Sequence, residues 1–294
     1  MAKPVRVPGS VARRQFGLTL RDARQKQNLD LKDVAEEMGI RWSISKLGRI
    51  ERGETGSVSE PEIKRLAEIL EIDDAATAHL IELAGLAAAK SWWYSERDII
   101  SGGFRMYVDL ESSAKELTMY HNNIVPGLLQ TVEYAKVLDR LYFPNESEAE
   151  LDRRLKLKLE RQKAVTRKTR PVQLTAVLHE AVAHTMVGGP VVMESQLGHL
   201  IEVSKQPNVS LRILPFTAGI PTGVAMSSYT ILDLKDMGCG SQPPVVYFES
   251  LSGAACLEDI EDVSKHRAAM AAIRRQSLDE ISTRTLLRQV HKKG

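Results

Sequence analysis

The sequence predicts a small all-α N-terminal domain followed by a larger α+β C-terminal domain, and three observations carry that expectation. A chain of 294 residues, at roughly 150 residues per domain, has room for about two domains that each bury a core. Apolar residues recur at helical spacing in short capped runs through the first 90 residues, while the β-rich runs begin at Val172. The charge is divided unevenly as well. Residues 1–56 carry 12 Lys and Arg against 7 Asp and Glu, residues 57–89 carry 2 against 7, and the remainder carries 26 against 24. A basic head followed by an acidic connector suits a nucleic-acid-binding module joined to a second domain. The boundary is expected just before the Ser91-Trp92-Trp93-Tyr94 stretch, which gives domains 1–89 and 90–294. Both Trp are expected to pack between the domains.

Composition narrows the class further. With 43% hydrophobic and 27% charged residues, the chain is neither disordered nor fibrous, and its length excludes a hormone or a disulfide-stapled miniprotein. No apolar run approaches the length of about eighteen residues that a membrane span needs, and the basic start MAKPVRVPGSVARRQF lacks the apolar core of a signal peptide. A cytoplasmic, nucleoid-associated protein without membrane contact is therefore expected. The two cysteines, Cys239 and Cys256, are expected to be free thiols in that compartment.

Phe16, Leu20 and Ala23 recur at helical spacing among Arg13, Arg14, Arg21, Arg24 and Lys26, which predicts a helix from Phe16 to Gln27 with a basic face. Asn28 tolerates left-handed backbone and is expected to stop it. Asp30 can cap a second helix that is apolar at Leu31, Val34, Ala35 and Met38 and ends at Gly39. A third short helix turns Leu47 and Ile50 inward and leaves Ser45, Lys46, Arg49 and Arg52 outward. The capping box Ser59-Glu60-Pro61-Glu62 opens a fourth, apolar at Ile63, Leu66, Ala67, Ile69 and Leu70.

A small Ala in the second helix, a Gly turn and a polar, basic third helix are the parts of a helix-turn-helix. The stretch LRDARQKQNLDLKDVAEEMG, with SKLGRIERG after it, resembles the xenobiotic-response-element (XRE) family of bacterial repressors over about 55 residues. The resemblance implies that the helix around Ser45 to Glu51 lies in the major groove of a double-stranded DNA operator. Ser45, Lys46 and Arg49 would then face the bases, with Arg49 able to bridge guanine O6 and N7. Arg21, Arg24, Arg41, Ser43 and Arg52 would hold phosphates and fix the register. Binding as a homodimer follows from the way such proteins read two half-sites. Two departures stand out: Leu31 occupies a position that is usually Gln, and Ile40-Arg41 read as extra residues in the turn, able to re-aim the reading helix. The alternative is that these are solvated residues of a helical bundle used for protein contact.

After residue 90, helices are expected from Leu110 to Tyr120, from Gly127 to Leu141, and from the capping box Ser147-Glu148-Ala149-Glu150 onward, with Leu151, Leu155 and Leu159 on one side. That last helix and its tail, from Arg153 to Arg170, hold nine cations, and Arg153, Arg154, Lys158 and Arg161 are the candidates for a secondary basic surface. The competing reading is a solvated helix face. Strands are expected at 172–178, 209–214, 226–232 and 245–248, with a helix through Met193 to Ile201 between the first two. Two helices close the chain, Asp259 to Ile273 and, after the capping box at Ser277, Leu278 to Val290. The fold class is thus an all-α helix-turn-helix N-terminal domain plus an α+β C-terminal domain.

The strings NNIVPGLLQTVEYAKVL, RRLKLKLERQ, QLGHLIEVSKQPNVSLRILPFTAG and VVYFESLSG resemble the C-terminal domain of a large actinomycete family of antitoxin-like transcriptional regulators. The resemblance implies a small protein partner encoded nearby, which would act through this domain. A small-molecule ligand sensed by the same domain is the alternative.

Catalytic and metal chemistry is not expected. In His179-Glu180-Ala181-Val182-Ala183-His184 the two His stand five apart, so they do not share a helix face as a zinc protease motif needs. The Ser-x-x-Lys matches at Ser43 and Ser112 lack companion motifs, and neither a Walker loop nor GxGxxG occurs. No catalytic residue, metal or cofactor is therefore assigned.

Overall fold

The computed structural model describes residues 11–54, 58–88, 93–100, 102–234, 243–251 and 253–291. They form two compact units that part between Ser113 and Ala114, further along the chain than residue 90. Trp92 and Cys239 lie outside the described residues.

The first unit is helical: α1 (Val11–Lys26), α2 (Leu31–Met38), α3 (Ile44–Glu51), α4 (Glu60–Ile69), α5 (Asp74–Ala88) and α6 (Gly102–Ser113). Each break has a local cause. Asn28 sits at φ 54 after α1, and Asp30 accepts from Lys32 N–H and Asp33 N–H while the Asp33 carboxylate accepts from Asp30 N–H, a closed capping box. Ser59 and Glu62 form a second capping box at α4, with Pro61 in the first turn. The apolar faces meet in one core that includes Phe16, Leu20, Val34, Leu47, Ile50, Ile63, Leu66, Leu80 and Leu83. Gly17 lets α1 cross the end of α3 in backbone contact, since a Cβ there would stand 2.4 Å from the Ile50 carbonyl oxygen. Trp93 is buried and donates from Nε1 to Asp109 Oδ1 at 2.8 Å, so its indole packs on α6 inside this unit.

The second unit is α+β. Its sheet holds β1 (Ala114–His121), β2 (Gln173–His179), β3 (Val209–Leu214), β4 (Tyr229–Leu234), β5 (Val245–Ser250) and β6 (Gly253–Leu257) in the order β3-β2-β1-β4-β5-β6. β1, β2 and β3 run parallel, and β4, β5 and β6 join antiparallel. The crossovers carry α7 (Val132–Tyr142), α8 (Glu148–Thr166), the short α9 (Ala181–His184) and α10 (Pro190–Val203), and α11 (Ile260–Gln276) and α12 (Glu280–His291) close the chain. Val263, Met270 and Ile273 of α11 cover Tyr120, Val177, Tyr229, Ile231 and Val246 on one sheet face.

Several expected elements are corrected. The helix from Leu110 to Tyr120 does not exist as such: α6 stops at Ser113 and β1 follows at once. Ala114 to His121 contains good helix formers, but it is the inner strand between β2 and β4, with Leu117, Met119 and Tyr120 buried, and pairing on both sides overrides local preference. Gly127–Leu129 is a single 3-10 turn, and α7 starts later, where the Thr131 hydroxyl accepts from Tyr134 N–H. The final helix is capped by Asp279, which accepts from Ser282 N–H, while the Ser277 hydroxyl bonds back to the Ile273 carbonyl. β6, hairpin partner of β5, carries no strong signal in GAACL.

Candidate nucleic-acid interface

The turn between α2 and α3 runs from Gly39 to Ser43. Gly39 takes φ 86, a left-handed conformation costly for any side chain, and Trp42 N–H closes the turn on the Gly39 carbonyl at 2.9 Å. Ser43 is the N-cap of α3, its hydroxyl accepting from Lys46 N–H at 3.1 Å. Leu47 and Ile50 are buried, and so is Gly48, where a Cβ would stand 3.1 Å from Arg52 Nη1 and in ordinary contact, 3.6 Å, with Leu31 of α2. Leu31 therefore serves as a packing residue between α2 and α3.

What remains outside is a short polar face. Ser45 and Arg49 are exposed one helical turn apart, and neither side chain has a partner among the described residues. Arg41 in the turn and Arg21 on α1 are likewise exposed and unpartnered among the described residues. Arg52, the C-cap of α3, is paired with Glu54 at 2.8 Å, yet its side chain is 45% exposed.

Two expected DNA contacts are spent inside the protein. Arg24 makes a two-pronged ion pair with Glu51, Nε to Oε1 at 2.7 Å and Nη2 to Oε2 at 2.8 Å, and Nη1 reaches the Leu29 carbonyl at 2.9 Å. Only 13% of its side chain is exposed, and Glu51 is buried, so this guanidinium ties α1 to α3 instead of holding a phosphate. Lys46 is drawn off the reading face: Nζ lies 3.1 Å from Glu62 Oε1 and 4.0 Å above the Trp42 ring. Trp42 Nε1 donates to the same Glu62 oxygen at 3.2 Å. Burial works against the ionised Glu62, but hydrogen bonds from Ser59 and the ammonium of Lys46 outweigh it and hold the carboxyl down at about 2. Trp42, Glu51 and Glu62 thus position α3, and sequence reading missed them in that role. Glu62 was visible as half of a capping box; Trp42 and Glu51 carried no signal that distinguished them.

The candidate secondary basic surface is also corrected. On α8, Arg161 is buried and Arg153 half-buried. Arg154 pairs with Glu146 and lies over the Phe143 ring. Lys158, 14% exposed, binds Asp139 at 3.1 Å and Gln130 at 3.0 Å. Arg154 and Lys158 fasten α8 to α7 and to the segments on either side of α7, because a helix that buries charges must pair them. His179 accepts from Ala181 N–H, and His184 stands 3.4 Å from Glu180, each ring against Phe216. Among the described residues no group of three or more His, Cys, Asp or Glu is placed to hold a metal ion.

The first unit is a helix-turn-helix domain, the class of module that binds DNA: a family model of that description, "Helix-turn-helix domain", matches residues 15–80. A second model, "Domain of unknown function (DUF5753)", matches residues 104–289, more than half of the chain, and the chain belongs to that family. No curated protein matches the chain, and no solved structure does. Among the described residues, no helix is long and apolar enough to cross a membrane.

Proposed function

We propose that the protein is an XRE-type transcriptional regulator that binds a double-stranded operator as a homodimer and carries out no catalysis. One observation carries this reading. The exposed face of α3 offers Ser45 and Arg49, and the turn before it Arg41, with no partner among the described residues, in a matched helix-turn-helix domain. Side chains that the fold leaves unused at the position where such modules enter the major groove are available to base edges and phosphates. The C-terminal domain, antitoxin-like in sequence, receives a small protein partner encoded nearby that tunes operator binding. Such a protein works in the cytoplasm, at the nucleoid.

Fluorescence anisotropy of the full-length protein on DNA upstream of its own gene, against a scrambled duplex at several salt concentrations, tests the DNA reading. A preference of a thousandfold or more that survives about 0.15 M salt supports it. Equal, steeply salt-dependent binding to both duplexes argues against it.

A second reading has an observation of its own. A cleft of about 820 Å³ opens at the end of the sheet between Glu116, Thr175, Lys205, Ser210, Glu280 and Arg284, roomy enough for a polar metabolite. Ligand-dependent stabilisation of the full-length protein across a metabolite panel would favour a one-component sensor over a protein partner.

A further inference from the structure

One face of the sheet changes character along its parallel strands. Toward their C-terminal ends Tyr120, Val177 and Leu214 pack with Tyr229 and Ile231 against the apolar side of α11. Nearer the strand starts, at the alternate positions that share this face, the side chains are polar. Thr175 stands beside Ser210 in the β2–β3 register, and Glu116 beside Gln173 in the β1–β2 register. Those four floor the cleft of about 820 Å³, which is walled by the Ser204 to Asn208 turn after α10 and by Glu280 and Arg284 of α12. The pairing of β1 with β4 slips between Ala114 and Glu116, a bulge of the kind that re-aims a side chain at a strand's rim.

Four charged groups line this cleft, and two of them are already employed. Lys205 pairs with Glu202 at 2.6 Å, and Glu280 accepts from the Ser210 hydroxyl at 2.7 Å. The other two have capacity left. Glu116 is exposed and has no partner among the described residues. Arg284 makes one long bond, Nη1 to the Ser204 carbonyl at 3.4 Å, so Nε and Nη2 are without a partner among the described residues. Glu116 stands on β1, while Arg284 follows by one turn the Glu280 that holds Ser210 of β3. Strands two places apart lie about 10 Å from each other, a span that two long side chains narrow from both sides.

A ligand that fills this space has to answer both charges. A simple anion would meet Glu116, a simple cation would meet Arg284, and a neutral molecule would leave each charge desolvated without return. A molecule with an ammonium at one end and a carboxylate at the other gives each a charge-assisted hydrogen bond, and amide groups between them can pair with Thr175 and Gln173. Deepening the one-component sensor reading above, and resting on it, we propose that the cleft binds a zwitterion of amino-acid to tripeptide size, its ammonium on Glu116 and its carboxylate on Arg284.

Thermal shift and titration calorimetry of the full-length protein test this with the twenty standard amino acids, di- and trialanine, and di- and triglycine. Glucose, adenosine, putrescine and succinate serve as neutral, cationic and anionic comparisons. At least one zwitterion should bind saturably, and free amino acids and peptides compete as alternative sources of the same chemistry. Its N-acetyl and carboxamide forms should each bind about tenfold more weakly, the worth of one charge-assisted hydrogen bond. Glu116→Gln should weaken the free zwitterion about tenfold and leave the N-acetyl form unchanged, a coupling that a merely structural role would not produce. Arg284→Gln should do the same for the carboxamide, with Arg284→Lys retaining part of the affinity. The assignment is overturned if no zwitterion binds, if blocked and free forms bind alike, or if Glu116→Gln weakens both equally. Binding of glucose or adenosine alone would overturn the zwitterion class and leave the sensor reading standing. A zwitterion that binds with the predicted coupling but leaves operator affinity unchanged in fluorescence anisotropy would uphold the site and remove the sensor reading.

Discussion

Arg49 and Arg24 are both arginines of the basic head, and the fold gives them opposite work. Arg49 is exposed and unpartnered among the described residues, so truncating it should leave the domain folded. Arg49→Ala is expected to lose about 1–3 kcal/mol of preference for the operator while binding random DNA almost as before. Comparing Kd values on operator and scrambled duplexes measures this, and equal losses on both would assign Arg49 to phosphate instead. Arg24→Ala should act on stability, because it strands the buried Glu51 carboxylate. A cost of about 3 kcal/mol is expected, read as a lowered urea midpoint of the full-length protein. Arg21→Ala on the same helix should leave the midpoint in place, since its side chain touches no partner among the described residues.

Helix α3 owes its place to three neighbours. Gly17 admits α1 against its carbonyl end, Leu31 of α2 packs on the shared core beside it, and Glu62 of α4 gathers Trp42 and Lys46 at its start. The Glu62 carboxyl, at about 2 in the folded protein against an ordinary 4.5, is ionised over a wider pH range folded than unfolded. Between these two values the unfolded chain binds the extra proton, so stability rises with pH through that window. Glu62 therefore contributes fully above about pH 5 and progressively less as pH falls toward 2. The gap in melting temperature between wild type and Glu62→Gln should be widest near neutral pH, begin to narrow below about pH 5 and close only toward pH 2. A gap that does not change with pH would remove the ionised carboxylate from the account. The same element shows where sequence patterns serve well. The capping residues Asp30 and Ser59 and the inward Leu47 and Ile50 were legible, because a cap and a 3.6-residue stripe are local. The employment of Lys46 was not, since it depends on a carboxylate sixteen residues away.

Across the chain, the charge of the basic head sets how DNA binding responds to salt. With Lys46 and Arg24 engaged internally, Arg21, Arg41 and Arg52 are the phosphate candidates left in each head. Three contacts predict a slope of log K against log salt of about −3 for one bound head and about −5 for two. A salt titration of operator binding thus also tests the proposed dimer: a slope near −3 at saturating stoichiometry would mean that a single head engages. Arg154 and Lys158 of the 153–170 region should add little to either slope, as their charges are neutralised within the second unit.

Much of this molecule could be read without its structure. Length, charge division, caps and apolar periodicity gave two domains of the right classes, the helix-turn-helix elements, and four of the six strands to within a few residues. These features are encoded by neighbours in sequence, and their physics acts over one or two turns. Three things needed the folded chain. Ala114 to His121 is a strand because it is sandwiched between β2 and β4, Arg154 and Lys158 of α8 are engaged inside the unit because Glu146 and Asp139 are packed against them, and the outward face of α3 has lost Lys46 to α4. Each outcome turns on a partner brought close by packing. Residue type and spacing say that a side chain is charged or apolar; whether it faces water, another element or DNA is decided by which surfaces the core leaves uncovered.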